Sequence, residues 1–158
     1  VQVKFNPERV TRYRLAGFEK HRLNKEDFRN DKVDAAEMAA AESGNALYQF
    51  EADPQGSGDV GEVSVRFLDT SSGKMVERSW PIPYQPKAPR LGEASSAMQL
   101  AATAGLLGEK LKGGPSSEAI VLGDLAPVTN QLRTEFADDQ EVQQLLQMVE
   151  AARSLTGQ

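Results

Sequence analysis

The stretch EVSVRFLDTSSGKMVERSWPI, residues 62–82, decides the fold of the first half of the chain. Its apolar residues Val63, Val65 and Phe67 alternate with polar residues, a period of two that is typical of a half-buried strand. Segment 69–73 is rich in turn-forming residues, and a second β-rich run follows it. The stretch therefore predicts a β-hairpin.

Further strands are predicted on the N-terminal side of this hairpin. The candidate strands of the first half span residues 1–5, 11–20, 45–52, 62–68 and 74–82. The last one ends at Pro81 and Pro83, which lack the N–H group that a sheet ladder needs, so we expect it at a sheet edge. Consecutive hairpins favour an antiparallel sheet, which we expect to form one layer of a β-sandwich-like structure.

The hydrophobic period changes after residues 85–92, which contain two prolines and a glycine and are predicted to be a linker. A helix is expected next, and its apolar face is formed by Leu100, Ala104, Leu107 and Leu111. The sequence Gly113-Gly114-Pro115 is expected to end that helix. Residues 116–118 are predicted to begin a short second helix.

Two further helices are predicted near the C-terminus. Pro127 suits the first position of one of them, and Asp138 followed by Glu141 resembles the capping box of the last. The apolar residues of these two helices are Val128, Leu132, Phe136, Val142, Leu145, Leu146, Val149 and Ala152. We therefore predict an α+β fold with an antiparallel sandwich-like part at 1–84, a linker at 85–92 and a small helical bundle at 93–158. These parts are expected to form one compact unit excised from a longer protein.

Composition excludes several functional classes. The chain has 158 residues, 18 basic and 23 acidic side chains, one histidine and no cysteine. The lack of cysteine excludes a thiolate zinc site, a disulfide framework and a thiol nucleophile. No apolar run reaches the ~18 residues of a spanning helix, so we expect no direct membrane insertion. The pI is near 5.0, whereas nucleic-acid-binding domains are usually above about 9, so no nucleic acid is expected as a partner.

Basic side chains are concentrated at the start of the chain. Residues 1–25 carry seven basic and two acidic groups, which makes this region the candidate surface for an acidic partner. The candidate interaction residues are Arg12, Arg14, Arg22 and Lys25. The alternative is a solvated strand face, since Arg12 and Arg14 alternate with Tyr13 and Leu15.

An acidic segment follows this region. Its candidate calcium ligands are Asp27, Asp31, Asp34 and Glu37. Calcium prefers such oxygen ligands, but the segment lacks the spacing of a helix–loop–helix calcium site and contains Arg29 and Lys32. A polar loop with local side-chain to backbone bonds is the alternative interpretation. His21 together with these carboxylates is the only combination that suggests an accessory hydrolase.

Two glycine-containing segments resemble ligand motifs. Segment 56–61 matches G-x-G-x-x-G, but a predicted strand follows it where a dinucleotide site requires a helix. Its glycines are expected to supply positive-φ positions in a loop. Segment 69–73 is similar to a D-x-S-x-S metal motif with Gly73 in place of the last hydroxyl, so a β-turn is expected there. Trp80 and Tyr84 are the only aromatic pair considered for carbohydrate adhesion, and Trp80 is expected in the core.

An ordered series in the first 50 residues points to a family. The series is Phe5-Asn6-Pro7, Tyr13-Arg14-Leu15-Ala16-Gly17-Phe18-Glu19, Glu26-Asp27-Phe28, Asn30-Asp31-Lys32-Val33-Asp34-Ala35 and Ala46-Leu47-Tyr48. It resembles the C-terminal domain, of unknown function, of the bacterial YfbK-type proteins with a von Willebrand factor type A domain. The chain departs from the family at Ala36, at 39–41 and at Glu42, where the family has glycines and a histidine, and Asn45 replaces a threonine.

This resemblance implies that a von Willebrand factor A domain lies upstream in the same polypeptide. The Mg²⁺ of such a domain would be bound there, so we expect no cofactor in the present chain. We also expect no catalytic residue, because the sequence does not assemble a nucleophile, a base and an orienting group. The resemblance also implies an extracytoplasmic location at the bacterial cell envelope. We expect a non-enzymatic module that supports the upstream domain and helps it to bind a protein partner. The alternatives are a calcium-dependent adhesion module and an accessory hydrolase domain that uses the acidic segment 27–37.

Overall fold

The computed structural model describes residues 1–16, 24–30, 33, 44–113 and 117–157. Its strands are β1 Gln2–Phe5, β2 Val10–Ala16, β3 Leu47–Ala52, β4 Gly61–Asp69 and β5 Lys74–Ile82. Its α-helices are α1 Ser96–Lys112, α2 Ala126–Glu135 and α3 Gln140–Thr156. Short 3-10 helices lie at Lys25–Arg29, Leu91–Glu93 and Leu122–Leu125. This order of strands and then helices confirms the predicted α+β class.

The chain divides into two compact units. The first, which we call the sheet unit, comprises the described residues of Val1–Gly44 and Tyr48–Lys87. The second, the helical unit, comprises Asn45–Leu47 and the described residues of Ala88–Gln158.

The strands of the sheet unit form two sheets. The order of the three-stranded sheet is β1-β4-β5, and β2 pairs with β3 in a separate ribbon. The expectation of consecutive hairpins was therefore wrong for β1, whose antiparallel partner is β4. The reason lies in the turn after β1, where the N–H groups of Arg9 and Val10 donate to the carbonyl of Asn6 and direct the chain away from the first sheet. The hairpin of β4 and β5 is present as predicted.

Buried apolar side chains of the helical unit form two clusters. The first consists of Leu107, Ile120, Leu122, Leu125, Val149 and Ala152, and the second of Val128, Leu132, Val142 and Leu146. The predicted faces of the last two helices supply most of them, because their apolar residues recur at the helical period.

The buried face of α1 differs from the predicted one. Leu111 is 65% exposed, and the buried residues of the helix are Gln99, Thr103, Leu107 and Glu109. Gln99 takes an inward position because its Nε2 donates to the carbonyls of Gly92 (3.1 Å) and Ala94 (3.0 Å). A hydrophobic pattern did not reveal this, since the interior position is polar.

Substitutions of these two buried polar residues are expected to have opposite effects on stability. Neither the Thr103 hydroxyl nor Gln99 Oε1 has a hydrogen-bond partner in the described part of the chain. Thr103→Val keeps the shape and removes an unsatisfied hydroxyl, so we expect a change between zero and about 1 kcal/mol of added stability. Gln99→Leu leaves two carbonyls without their donor and is expected to cost about 2 kcal/mol. Urea unfolding followed by far-ultraviolet circular dichroism measures both, and a destabilised Thr103→Val variant would contradict the assignment.

The ends of the helices differ from prediction by one residue or more. The turn at residues 117–119 is not a helix, and a 3-10 helix forms instead at Leu122–Leu125. Pro127 is the second residue of α2, which begins at Ala126. Asp139, rather than Asp138, caps α3, because its carboxylate accepts from the N–H groups of the first turn. Gly113 ends α1 with a φ of 72°, as predicted.

Candidate interaction surface

The turn after β1 is fastened to the glycine-containing loop before β4. Asn6 Nδ2 donates to the carbonyls of Ser57 and Asp59, both at 2.9 Å, and its Oδ1 accepts from the N–H of Glu8 at 3.0 Å. The hydroxyl of Ser57 donates in turn to the carboxylate of Glu8 at 2.5 Å. These bonds join two segments about fifty positions apart in sequence, so they fix the register of β1 against β4.

A buried arginine completes this anchor. Arg9 is 7% exposed, and its Nη1 and Nε donate to the carbonyls of Asp53 (2.7 Å) and Gly58 (3.1 Å). Its guanidinium carbon lies 4.0 Å from the ring centroid of Tyr84. A buried charge is costly unless it is paired, and here two carbonyls and an aromatic face offset that cost. We call Asn6, Arg9 and the loop 53–59 the loop anchor.

The glycines of this loop have a structural role. Gly58 has a φ of 72°, and the loop leads into β4, as predicted. Gly56 and Gly61 are needed for another reason, since a Cβ at either position would collide with the backbone of Glu8–Arg9 or Lys4–Phe5.

The segment that is similar to a metal motif forms a turn. The carboxylate of Asp69 accepts from the hydroxyl of Ser72 (2.6 Å) and from the N–H of Ser71 (3.0 Å), and these bonds hold the pKa of Asp69 below its ordinary value. Gly73 has a φ of 66° and donates its N–H to the Asp69 carbonyl. The acidic oxygens are therefore occupied by local bonds, which is the expected β-turn.

Four aromatic side chains meet where the two sheets approach each other. The ring of Phe5 lies 4.4 Å from Tyr13, 5.5 Å from Tyr48 and 5.9 Å from Phe50, measured between centroids. Tyr13 is 58% exposed and Phe50 is 44% exposed. Since neighbouring residues of a strand point to opposite faces, the aromatic side chains share one face of the β2–β3 ribbon. We call Phe5, Tyr13, Tyr48 and Phe50 the aromatic cluster.

The predicted basic residues Arg12 and Arg14 lie on the other face of this ribbon. Arg12 forms an ion pair with Glu51 at 3.6 Å, with both side chains more than half exposed, and Arg14 donates to Gln49 at 2.7 Å. Exposed cross-strand pairs of this kind contribute less than about 1 kcal/mol. Two other candidates, Arg22 and the side chain of Lys25, lie outside the described residues.

The acidic candidates are represented by Asp27 alone. Its carboxylate accepts from the side-chain amide of Asn24 at 3.1 Å. Asp31, Asp34 and Glu37, like His21, lie outside the described residues. No group of three potential metal-ligating side chains occurs among residues for which the structure gives positions.

A calcium titration tests the acidic segment directly. We expect the same melting temperature in EDTA, millimolar Ca²⁺ and millimolar Mg²⁺, because Arg29 and Lys32 lie within the segment and oppose cation binding. A bound ion would add about 2.7 kcal/mol at a hundredfold excess over Kd, which a thermal melt detects. A calcium-dependent rise that Asp31→Asn or Asp34→Asn abolishes would overturn this expectation and favour the adhesion alternative.

Arg29 fastens its 3-10 helix to β5. Its Nη2 and Nε donate to the two carboxylate oxygens of Glu77 at 2.7 and 3.1 Å, and Arg66 lies 3.6 Å from the same carboxylate. Hydrogen bonding from Arg29 lowers the pKa of Glu77 below its ordinary value of 4.5. The bonds therefore hold segment 24–30 on the sheet face that carries Arg66 and Glu77.

The Glu77 interaction predicts a pH dependence. Because the pKa of Glu77 is lower in the folded protein than in the unfolded chain, the ionised carboxylate stabilises the fold at pH values above about 4.5. This stabilisation is lost as the pH falls through the lowered pKa. The urea midpoints of wild type and Glu77→Gln are therefore expected to differ at neutral pH and to converge in acid. The control is Glu26→Gln, because Glu26 is an exposed carboxyl on the 3-10 helix that carries Arg29. The urea midpoint of this variant should follow wild type at every pH. A Glu77→Gln difference that persists unchanged in acid would contradict the assignment.

Trp80 was expected in the core, and this expectation was wrong. It is 47% exposed on β5, at the sheet edge, because the strand order leaves β5 with one neighbour. Tyr84, its proposed partner in adhesion, packs under Arg9 in the loop anchor.

The acidic turn between α2 and α3 forms a shallow concavity. It is lined by Glu135, Phe136, Asp138, Asp139 and Gln140. Asp139 caps α3, and Glu135 accepts a hydrogen bond from Ser96 at 2.7 Å, so both carboxylates have structural partners.

Among the helices that the structure describes, none is long and apolar enough to cross a lipid bilayer.

Residues 1–57 match the family model described as the C-terminal part of the uncharacterized protein YfbK. This part of the chain is similar to a YfbK-type C-terminal domain. The match contains β1 to β3, the loop anchor up to Ser57 and the whole aromatic cluster. These are the features that join the two sheets of the sheet unit.

A curated relative extends the comparison beyond residue 57. The chain is 29% identical over 126 residues to the uncharacterized protein YfbK of Escherichia coli strain K12. The alignment covers 71% of this chain and 22% of the relative, so the chain spans about a fifth of that protein's length. No solved structure matches the chain.

Sequence reasoning missed the aromatic cluster and the buried arginine. Tyr48 and Phe50 occupy alternate positions of β3, as Tyr13 alternates with Arg12 and Arg14 on β2. This alternation was a usable signal for an aromatic strand face. The burial of Arg9 had no signal in the sequence, because its partners are backbone carbonyls 44 and 49 positions away.

Proposed function

We propose that this YfbK-type domain is a non-enzymatic interaction module that supports a von Willebrand factor A domain of the same polypeptide. In this proposal the aromatic cluster makes the contact, and the assembly acts in protein–protein binding at the bacterial cell envelope. The aromatic cluster is the observation that carries the proposal.

Its composition and exposure support a protein-binding role. Tyr13 and Phe50 are both more than two-fifths exposed, although the rings pack against Phe5 and are held in place. Aromatic side chains are enriched at protein interfaces because they bury a large area at a low cost in conformational entropy. Arg12 and Arg14, with their partners Glu51 and Gln49, lie on the opposite ribbon face, which leaves the aromatic face free of ionised groups from β2.

Three carboxylates of the described residues have structural roles, which supports a function without catalysis. Asp69 holds a turn, Glu77 binds Arg29, and Asp139 caps a helix. A catalytic site needs titratable groups that converge on one cleft and face a reacting atom. Groups engaged in turns, caps and ion pairs are better suited to maintaining the fold.

The upstream domain and the envelope location rest on the resemblance seen in the sequence. About four-fifths of the E. coli relative lies outside the aligned region, which leaves ample length for another domain. Any Mg²⁺ would belong to the von Willebrand factor A domain and would be bound by its residues.

The proposal is tested by measuring binding between the two domains. The Kd between this chain and the separately purified von Willebrand factor A domain is measured by calorimetry, for wild type and for Tyr13→Ser/Phe50→Ser. Loss of two interface aromatics is expected to raise Kd at least about tenfold. Arg12→Ser/Arg14→Ser, on the opposite face, is the control and should leave Kd within about twofold. Absence of binding by the wild-type chain, or equal Kd values for both double variants, would overturn the proposal.

A further inference from the structure

The described residues of the sheet unit include few buried apolar side chains. Val10 and Val60 are its buried hydrophobic side chains among the described residues, whereas the helical unit has ten. Apolar burial is the main favourable contribution to folding, so covering further apolar surface of this unit would add to its stability.

One face of the three-stranded sheet carries several apolar side chains that are not fully buried. Register places Val3, Val63 and Trp80 side by side, and Phe67 opposite Val76. Opposed residues and residues two apart share a face, so these side chains, with Val65 and Phe5, line one surface. We call Val3, Val63, Val65, Phe67, Val76 and Trp80 the open sheet face.

The β2–β3 ribbon contacts this surface at its Phe5 end, through the aromatic cluster. Farther along the sheet, Trp80 remains 47% exposed and Phe67 43% exposed. Arg78, which is opposite Val65 in the register, lies on the same surface and is also exposed. A surface of this kind marks a contact for another apolar layer.

We propose that the open sheet face is covered by a β-forming segment of the same polypeptide that precedes Val1, which completes a two-layer sandwich. This inference rests on the proposed function, because it assumes that the polypeptide continues upstream. Of the possible occupants, the upstream segment is the one whose connection the structure favours.

The position of the chain start supports this choice of occupant. Val1 is 78% exposed and leads directly into β1, whose Val3 belongs to the open sheet face. A preceding segment therefore reaches the face through a connection of a few residues, the usual length between packed elements. The E. coli relative has most of its length outside the aligned region. The family model that matches residues 1–57 describes a C-terminal part, which agrees with further chain on the N-terminal side.

The chemistry of the face defines the covering segment further. Its inward side chains must be apolar opposite Phe67 and Trp80. They must also place a carboxylate or a carbonyl oxygen near Arg78, because a guanidinium covered without a partner is costly.

Cysteine reactivity tests this proposal. The chain has no cysteine, so Phe67→Cys introduces a single reporter on the open sheet face. Its alkylation rate is measured by peptide-level mass spectrometry in residues 1–158 and in the full-length gene product. We expect alkylation at least tenfold slower in the full-length protein. Leu68→Cys is the matched control, since Leu68 is 56% exposed and lies on the opposite sheet face, and its rate should be the same in both proteins.

Two results would overturn the proposal. One is an equal rate for Phe67→Cys in the short and the full-length proteins. The other is a rate in residues 1–158 that falls as the protein concentration rises, because this would assign the face to a second copy of the chain. Failure here is distinguishable from failure of the proposed function, which is decided by the binding measurement on the aromatic cluster.

Tryptophan fluorescence provides a second readout, because Trp80 is the only tryptophan of the chain. Iodide is expected to quench its fluorescence efficiently in residues 1–158.

Discussion

Replacing Gly61 with alanine is expected to destabilise the sheet unit by about 3 kcal/mol. A Cβ at this position would collide with the carbonyl oxygen of Lys4 and would lie 3.0 Å from the Cα of Phe5. Both atoms belong to the backbone of β1, so they move only if β1 separates from β4. The expected result is a marked fall in the urea midpoint with loss of β-sheet circular dichroism.

Gly44→Ala is the matched control for this change. No atom lies within 4 Å of a Cβ at Gly44, which belongs to the same unit. The control is therefore expected to leave stability within about 0.5 kcal/mol of wild type, as surface substitutions usually do. If Gly61→Ala were as stable as Gly44→Ala, the close approach of β1 to β4 would be wrong.

Arg9→Met is expected to cost about 3 kcal/mol, the second of the two largest effects. Its guanidinium donates to two backbone carbonyls and stacks on Tyr84, and hydrogen bonds from charged groups contribute about 1.5–3 kcal/mol each. Methionine retains much of the apolar stem but leaves the carbonyls of Asp53 and Gly58 without this donor. Chemical denaturation measures the loss.

Arg12→Met provides the comparison for Arg9. Its ion pair with Glu51 is solvent-exposed, so its removal is expected to change stability by less than about 0.5 kcal/mol. Equal effects of the two substitutions would contradict a structural role for the loop anchor.

Sequence alone predicted the elements whose pattern is local. The alternation of Val63, Val65 and Phe67 and the turn at 69–73 gave the β4–β5 hairpin, and the apolar spacing of α3 gave its buried face. Local patterns succeed where one face of an element is apolar and its ends carry turn residues.

Long-range contacts determined what the sequence did not predict. The pairing of β1 with β4 depends on the loop anchor, in which Asn6 bonds to carbonyls about fifty positions away. Gln99 is a local exception, because its inward position depends on carbonyls of the preceding turn that the hydrophobic pattern does not reveal. The edge position of β5 was predicted from its prolines, but Trp80 on that strand was expected in the core and is 47% exposed.

The candidate interaction residues show the same division. Arg12 and Arg14 were placed correctly on an alternating strand, yet the surface that supports the proposed function is the opposite, aromatic face of that strand. The concentration of positive charge predicted an interaction surface at the basic residues. The contact of Phe5 with Tyr13 and Phe50 forms only when the two sheets are assembled.

Hydrogen–deuterium exchange on residues 1–158 and on the full-length gene product tests the central claim most directly. If the domain is an interaction module of a longer polypeptide, peptides covering the aromatic cluster and β4–β5 exchange more slowly in the full-length protein. Peptides from α3 serve as the internal reference and should exchange at equal rates in both. Equal exchange across the aromatic cluster and β4–β5 in the two proteins would contradict the claim.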